Sequence, residues 1–216
     1  ENITGIDLVE QMIRVAAGEK LSFAQDDIKL NGWSMECRIN AEDPFRGFLP
    51  STGRLVKFQP PEEIPGQVRV DTGVYEGGEI SMYYDSMIAK LIVHGRDREQ
   101  AIERMRDALN AFVIRGISSN IPFQAALLQH PRFCSGNFNT GFIAEEYPRG
   151  FDASMVPHDD PALLAALATF ARMRYIQRAV QIDGQLPGHG RSVSKDWVVV
   201  MGGKQYPMSV DTVEGG

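Results

Sequence analysis

The chain has 216 residues, of which 43% are hydrophobic and 23% charged, a composition typical of a globular protein with one large domain or one and a half ordinary ones. Its formal net charge of −6 argues against a general nucleic-acid-binding surface, although a few placed cations suffice to bind an anionic ligand. The sequence contains no apolar run long enough to cross a membrane, and its two cysteines, Cys37 and Cys134, lack metal-ligand spacing.

The first part of the chain alternates helical and strand-like patterns. A Thr4–Asp7 pair resembling a capping box, followed by apolar residues at helical spacing, predicts a helix over 6–17. Because some turns between the strand-like runs are tight, an antiparallel or mixed sheet fits better than βαβ units. The predicted strands are 33–41, 53–58, 67–73 and 88–94, and the further predicted helices are 97–112, about 120–130 and about 141–147.

The character of the sequence changes near residue 150, where a Pro- and Asp-containing stretch begins. Such connectors are typical of linkers, so we expect one domain over 1–150 and a second part over 151–216. In that second part Asp160 and Pro161 start a long apolar helix reaching about Val180, and strands are predicted at 193–200 and 204–211. We expect these strands to begin a β-barrel around the helix, packing on Leu163, Leu167 or Phe170.

The run Trp33–Pro44 is the most informative segment of the sequence. Read as a strand, it places Met35, Cys37 and Ile39 on one face and Glu36, Arg38 and Asn40 on the other. Arginine is a planar, permanently charged donor, which suits binding of an oxygen that gains negative charge. An ordinary solvated strand face with a weak ion pair is the alternative.

The order of residues in this run also resembles a known family. Glu36–Pro44 resembles the E-C-R-x-x-A-E-D-P block of biotin carboxylases, and Tyr83–Leu91 resembles their Y-Y-D-x-M-I-x-K-L block. The resemblance covers roughly residues 1–150 and implies an α+β fold, the C-terminal part of a biotin carboxylase domain. Two further segments, Val113–Ile121 and Glu146–Phe151, most resemble α subunits of propionyl-CoA carboxylases, where the second leads into a helix wrapped by a β-barrel.

The resemblance also implies roles for individual residues. Arg38 is implied to be catalytic and to bind the ureido oxygen of biotin. Asp85 is implied to support Arg38 or a neighbouring cation, with a simple turn residue as the alternative, and Glu36 either holds Arg38 or is a solvated charge. Thr140 is implied to contact the nucleotide. A structural ion pair is an equally good interpretation of Lys90, and Arg69 resembles a subunit-interface position that we do not assign to the site.

The implied cofactors are biotin attached on another domain, ATP, and Mg²⁺ or Mn²⁺ bound by ligands upstream of Glu1; no metal ligand is assigned in this chain. The implied partners are bicarbonate, the biotin carrier domain and a carboxyltransferase β subunit, with no nucleic acid or membrane. Location would be cytoplasmic in a bacterium or the mitochondrial matrix in a eukaryote. Because the chain opens without Met and ends after a strand-like run, we expect a piece of a longer polypeptide, inactive alone, with its barrel incomplete.

Alternatives within the class are methylcrotonyl-CoA, acetyl-CoA and pyruvate carboxylases. A non-catalytic module that holds other subunits together is the alternative outside it.

Overall fold

The computed structural model describes residues 1–156, 160–180, 184 and 193–211, and the chain folds into two units, Glu1–Pro157 and His158–Gly216. The predicted division between residues 150 and 151, with its assignment of the two parts, stays a prediction.

The first unit combines helices with short strands. Its helices are α1 (Leu8–Ala16), α2 (Arg98–Ala111), α3 (Ile121–Leu127), α4 (Pro131–Ser135) and α5 (Phe142–Glu146). Its strands are β1 (Trp33–Asn40), β2 (Glu42–Asp43), β3 (Leu49–Pro50), β4 (Gly53–Arg54), β5 (Lys57–Gln59), β6 (Val68–Thr72), β7 (Glu79–Ile80), β8 (Met87–Gly95) and β9 (Val113–Arg115). Every strand pair in the described part of the chain is antiparallel, so the predicted α+β class is confirmed.

A three-stranded sheet of order β1-β8-β6 lies at the centre of the first unit. In its register, Arg38 of β1 lies opposite Lys90 of β8. Since successive side chains alternate between faces, the apolar set of β1 and β8 shares one face, where Ile39, Leu91 and Val93 are fully buried. The sheet therefore has one core face and one polar face.

Helix α2 covers the core face. Asp97 caps its start, because the Asp97 carboxylate accepts a hydrogen bond from the Gln100 backbone N–H at 2.8 Å. That hydrogen bond lowers the pKa of Asp97. The apolar stripe of α2 is buried against the sheet, and Met105 is fully buried in the core. The stripe consists of Ala101, Ile102, Met105, Ala108 and Leu109.

The predicted strand 53–58 is wrong as a single strand. Its first residues pair with β7 and its last residues pair with β9, so the run changes partner in the middle. Leu55 lies at the change, with its side chain fully buried and its N–H donating to the carbonyl of Gly78 at 2.8 Å. Burial of Leu55 and pairing with two separate partners divide the run into β4 and β5.

The second unit contains helix α6 (Pro161–Val180) and the antiparallel strands β10 (Asp196–Met201) and β11 (Lys204–Ser209). As expected, Asp160 starts the helix, and its carboxylate accepts a hydrogen bond from the N–H of Ala162 at 2.8 Å. The described strands form a hairpin without barrel closure. None of the described helices combines the length and apolar character that crossing a membrane requires.

The predicted packing face of α6 needs correction. Leu163, Leu167 and Phe170 are each more than half exposed, whereas Ala165 and Thr169 are buried. The helix contacts both strands of the hairpin. Thr169 can be buried because its hydroxyl donates a hydrogen bond to the Ala165 carbonyl at 2.8 Å.

The core of the first unit yields a stability prediction. Leu91→Ala should lower the free energy of unfolding by about 2–5 kcal/mol, because it leaves a cavity under α2. Leu30→Ala is the matched control, since Leu30 is 76% exposed, and it should change stability by less than about 0.5 kcal/mol. Urea unfolding measures both, and similar effects of the two variants would contradict this description of the core.

Candidate functional site

Arg38 projects from the polar face of β1. Its side chain is 67% exposed, and Nε lies 3.4 Å from Oε1 of Glu36, which is itself 42% exposed. A hydrogen bond of this length between exposed charges is weak. The guanidinium is therefore accessible to a ligand and only loosely held by its neighbour on the strand.

The opposite face of the same strand is apolar. Cys37, next to Arg38, packs against the core, and burial, followed by the nearby Glu36 charge, raises the pKa of the Cys37 thiol to about 12. The thiol is therefore protonated at neutral pH. The predicted alternation of β1 is present in the structure, with Ile39 fully buried on the apolar side.

Further charges share the polar face with Arg38. Lys90 lies directly opposite Arg38 on β8, and Asp71 of β6 lies opposite Lys90 on the other side. Asp71 binds Arg69, with Nη2 of Arg69 2.6 Å from Oδ2 of Asp71, and this hydrogen bond lowers the pKa of Asp71. Arg69 also lies 3.2 Å from Glu1, so carboxylates on two sides pair with Arg69.

Two side chains of the α3 region hold the backbone of Arg38. The Arg38 carbonyl accepts hydrogen bonds from Nδ2 of Asn120 at 3.0 Å and from Nε2 of Gln124 at 2.6 Å. Asn120 also accepts from the Asn40 N–H at 2.9 Å through Oδ1. Neither residue was predicted from the sequence, where the available signal was Asn120 as a polar residue just before an apolar helical run.

The two sequence blocks meet beside Asn40. Oε1 of Glu42 accepts hydrogen bonds from the Ser86 hydroxyl at 2.6 Å and from Nδ2 of Asn40 at 3.2 Å. The Ala41 N–H donates to the carbonyl of Ser86 at 2.7 Å. Glu42 therefore joins the end of β1 to the segment that begins β8, a structural role that the sequence analysis did not assign.

Asp85 lies in the exposed segment before β8. Its Oδ1 accepts a hydrogen bond from the N–H of Met87 at 2.9 Å, the arrangement of an Asx turn. The ion pair that the described residues form with Arg38 comes from Glu36, so the structure does not bring the Asp85 carboxylate onto the guanidinium. The geometry of this chain favours the turn interpretation of Asp85.

Thr140 lies in an exposed loop before α5. The loop is anchored through Phe138, whose ring stacks on Phe133 with centroids 4.8 Å apart. The Arg98 guanidinium lies 5.5 Å from the Phe138 ring centroid. Phe133 in turn lines a cavity of about 290 Å³ that Arg38 and Gln124 also line. The structure thus connects the Thr140 loop to the Arg38 region through Phe138 and Phe133.

The arrangement fits recognition of an anionic or carbonyl oxygen by Arg38. Among the described residues, no group of three or more His, Cys, Asp or Glu side chains is placed to hold a metal ion. What these residues can supply is an exposed guanidinium on a fixed backbone, and such a group stabilises negative charge developing on a ligand oxygen.

Two family patterns match the chain. Residues 36–145 match the biotin carboxylase C-terminal domain, and residues 164–216 match the propionyl-coenzyme A carboxylase BT domain. The first match spans both blocks that carry Arg38 and Asp85.

Similar proteins agree with these patterns. The propionyl-CoA carboxylase alpha chain of Ruegeria pomeroyi is 49% identical over 97% of this chain and 34% of its own length. The mitochondrial propionyl-CoA carboxylase alpha chain of Homo sapiens is 47% identical over 83% of this chain and 25% of its own length. The chain therefore spans about a third or less of these curated relatives.

Solved structures agree as well. The biotin carboxylase domain of Hydrogenobacter thermophilus 2-oxoglutarate carboxylase, with MgADP, ADP and bicarbonate, is 42% identical with a TM-score of 0.65. The match covers 73% of this chain and 33% of that one. The biotin carboxylase subunit of a pyruvate carboxylase is 39% identical over the same shares, also with a TM-score of 0.65.

The two faces of β1 can be tested by thiol labelling. At about pH 8, iodoacetamide should modify the exposed Cys134 much faster than Cys37, because Cys37 is partly buried against the core and its thiol stays protonated well above that pH. Peptide mass spectrometry measures both sites, and urea-unfolded protein, labelled at both, is the control. Equal labelling rates in the native protein would place Cys37 on the outer face and contradict the direction of Arg38.

Proposed function

This chain belongs to the biotin carboxylase C-terminal domain family, and on that premise we propose that it forms part of the biotin carboxylase component of a propionyl-CoA-type carboxylase. That component carboxylates N1 of biotin with bicarbonate and ATP. The accessible Arg38 guanidinium on a sheet face carries the proposal. The identity with propionyl-CoA carboxylase alpha chains and the match over 164–216 support the propionyl-CoA type.

Arg38 has the properties needed to bind the ureido oxygen of biotin. When bound, biotin supplies the nitrogen nucleophile that accepts the carboxyl group. Arg38 would hold the ureido oxygen of biotin through donated hydrogen bonds, and its positive charge would stabilise negative charge on that oxygen. Because the guanidinium is planar and always protonated, its donors are available throughout the reaction. The weak hydrogen bond with Glu36 keeps the Arg38 guanidinium on the polar face of the sheet.

The remaining roles follow the same proposal. Thr140, on the loop anchored by Phe138, contacts the nucleotide, and Asp85 supports the site by building the turn into β8.

ATP, bicarbonate and Mg²⁺ or Mn²⁺ are the co-reactants, a proposal supported by the MgADP and bicarbonate in the Hydrogenobacter relative. The proposed partners are the biotin carrier domain and a carboxyltransferase β subunit. Relatives from a bacterium and from mitochondria support a bacterial cytoplasmic or mitochondrial matrix location.

The catalytic role of Arg38 is tested in the full-length subunit. Arg38→Ala should lower carboxylation of free biotin by about two to three powers of ten while leaving the fold intact. Arg38→Lys should also lose most activity, because a point charge on a flexible stem does not reproduce the planar fork. Circular dichroism and turnover measure the two effects.

Arg96→Ala is the matched control, since Arg96 is 77% exposed and lies just before α2. It should retain near-normal turnover. Wild-type turnover of Arg38→Ala would remove Arg38 from the mechanism, and lost subunit assembly with normal turnover would favour the non-catalytic assembly module.

Asp85 allows charge and turn geometry to be separated. Asp85→Asn keeps an oxygen that can accept from the Met87 N–H, so it should retain most turnover, whereas Asp85→Ala should lose about fivefold, equivalent to one hydrogen bond of about 1 kcal/mol. Steady-state carboxylation of free biotin measures both variants. An equally large loss in Asp85→Asn would show that the carboxylate charge itself supports the site.

A further inference from the structure

The outer edge of β1 is covered by side chains from outside the sheet. One edge of β1 pairs with β8, and on the other edge Arg38 and Asn40 present backbone groups to Asn120. Asn120 satisfies three of them, because its N–H also donates to the Asn40 carbonyl at 3.1 Å. The residue thus occupies the place that a neighbouring strand would take.

Gln124 donates a second hydrogen bond to the Arg38 carbonyl, which already accepts one from Asn120. Its Nε2 lies 2.6 Å from the Arg38 carbonyl oxygen, closer than Nδ2 of Asn120 at 3.0 Å. Its own Oε1 is buried and has no hydrogen-bond partner among the described residues. Leaving a buried acceptor unsatisfied is unfavourable, so satisfying polar groups does not explain this arrangement.

What the Gln124 contact does accomplish is to restrain the peptide group of Arg38. The Arg38 side chain cannot be fixed by its own ion pair, since Nε is 3.4 Å from Glu36 and both groups are exposed. The direction in which the guanidinium leaves the sheet then depends on the backbone at Arg38. A displacement of about 1 Å in a reacting group can lower a rate a hundredfold, so such a restraint has a functional consequence.

We propose that Gln124 is a positioning residue for Arg38, with Asn120 holding the same peptide group from the adjacent position. Gln124 acts through the backbone carbonyl and does not contact the ligand. The inference rests on the proposed function, because it assumes that Arg38 binds the reacting oxygen.

The test uses the full-length subunit and free biotin. Gln124→Met keeps a side chain of similar length but removes both the donor and the unsatisfied oxygen, so it should preserve thermal stability. We expect kcat for biotin carboxylation to fall about tenfold, within the range for a displaced group, while KM for ATP stays unchanged. Bicarbonate-dependent ATP cleavage without biotin should also be unchanged, because that reaction does not use the contact between Arg38 and the ureido oxygen.

Gln129→Met is the matched control. Gln129 follows α3, is partly buried like Gln124, and makes no side-chain hydrogen bond in the described structure. It should leave both reactions unchanged. Asn120→Ala is less informative, because the loss of both side-chain hydrogen bonds with β1 would disturb the fold itself.

A double-mutant cycle separates positioning from general damage. In an Arg38→Ala background, Gln124→Met should cause no further loss of the residual carboxylation rate, because its effect passes through Arg38. An equal proportional loss in both backgrounds, a parallel fall in biotin-independent ATP cleavage, or wild-type turnover of Gln124→Met would overturn the inference. Wild-type turnover of Arg38→Ala would instead overturn the proposed function.

Discussion

The hydrogen bonds between Asn120 and the outer edge of β1 are the contact on which the arrangement of the site depends. A strand at the edge of a sheet leaves backbone donors and acceptors without partners, and these must be satisfied where the strand is partly buried. The Asn120 side chain binds the N–H of Asn40 and the carbonyl of Arg38, and the Asn120 backbone N–H binds the carbonyl of Asn40. These contacts lie beside the point where the pairing of β1 with β8 shifts register. These hydrogen bonds lie on the edge of β1 that does not pair with β8, so Asn120, just before α3, takes the place of a neighbouring strand there.

This contact also joins segments that are distant in the sequence. Asn120 ties β1 to α3, and Glu42 ties the end of β1 to Ser86 ahead of β8. The apolar face of the same sheet is fixed by α2, with Met105 and Leu91 fully buried. The backbone carrying Arg38 is therefore held by packing on one side and by amide hydrogen bonds along its edge, while the side chain stays in solvent.

The sequence predicted the features that repeat locally. Alternation placed Arg38 and Cys37 on opposite faces, and the helix predicted over 97–112 matches α2 closely. The division of 53–58 was missed because it depends on which distant strand each residue meets, and periodicity carries no such information. Gln124 was missed for the same reason, since a glutamine on a helix gives no sign that it will bind a carbonyl eighty-six positions earlier. In α6 the large apolar residues suggested the packing face, but the buried residues are the smaller Ala165 and Thr169.

The charges on the polar face explain why backbone restraint is needed. Arg38 and Lys90 lie directly opposite each other, an unfavourable pairing of like charges. Glu36 beside Arg38 and Asp71 beside Lys90 offset this repulsion from the two flanks. Exposed pairs of this kind contribute up to about 1 kcal/mol each, and salt weakens them further. Such pairs can keep a cation on the face without fixing its position to the tolerance that catalysis requires. The amide hydrogen bonds at the Arg38 carbonyl, 3.0 Å from Asn120 and 2.6 Å from Gln124, act on the backbone itself, so the strand edge, rather than the ion pair, sets the position from which the Arg38 side chain extends.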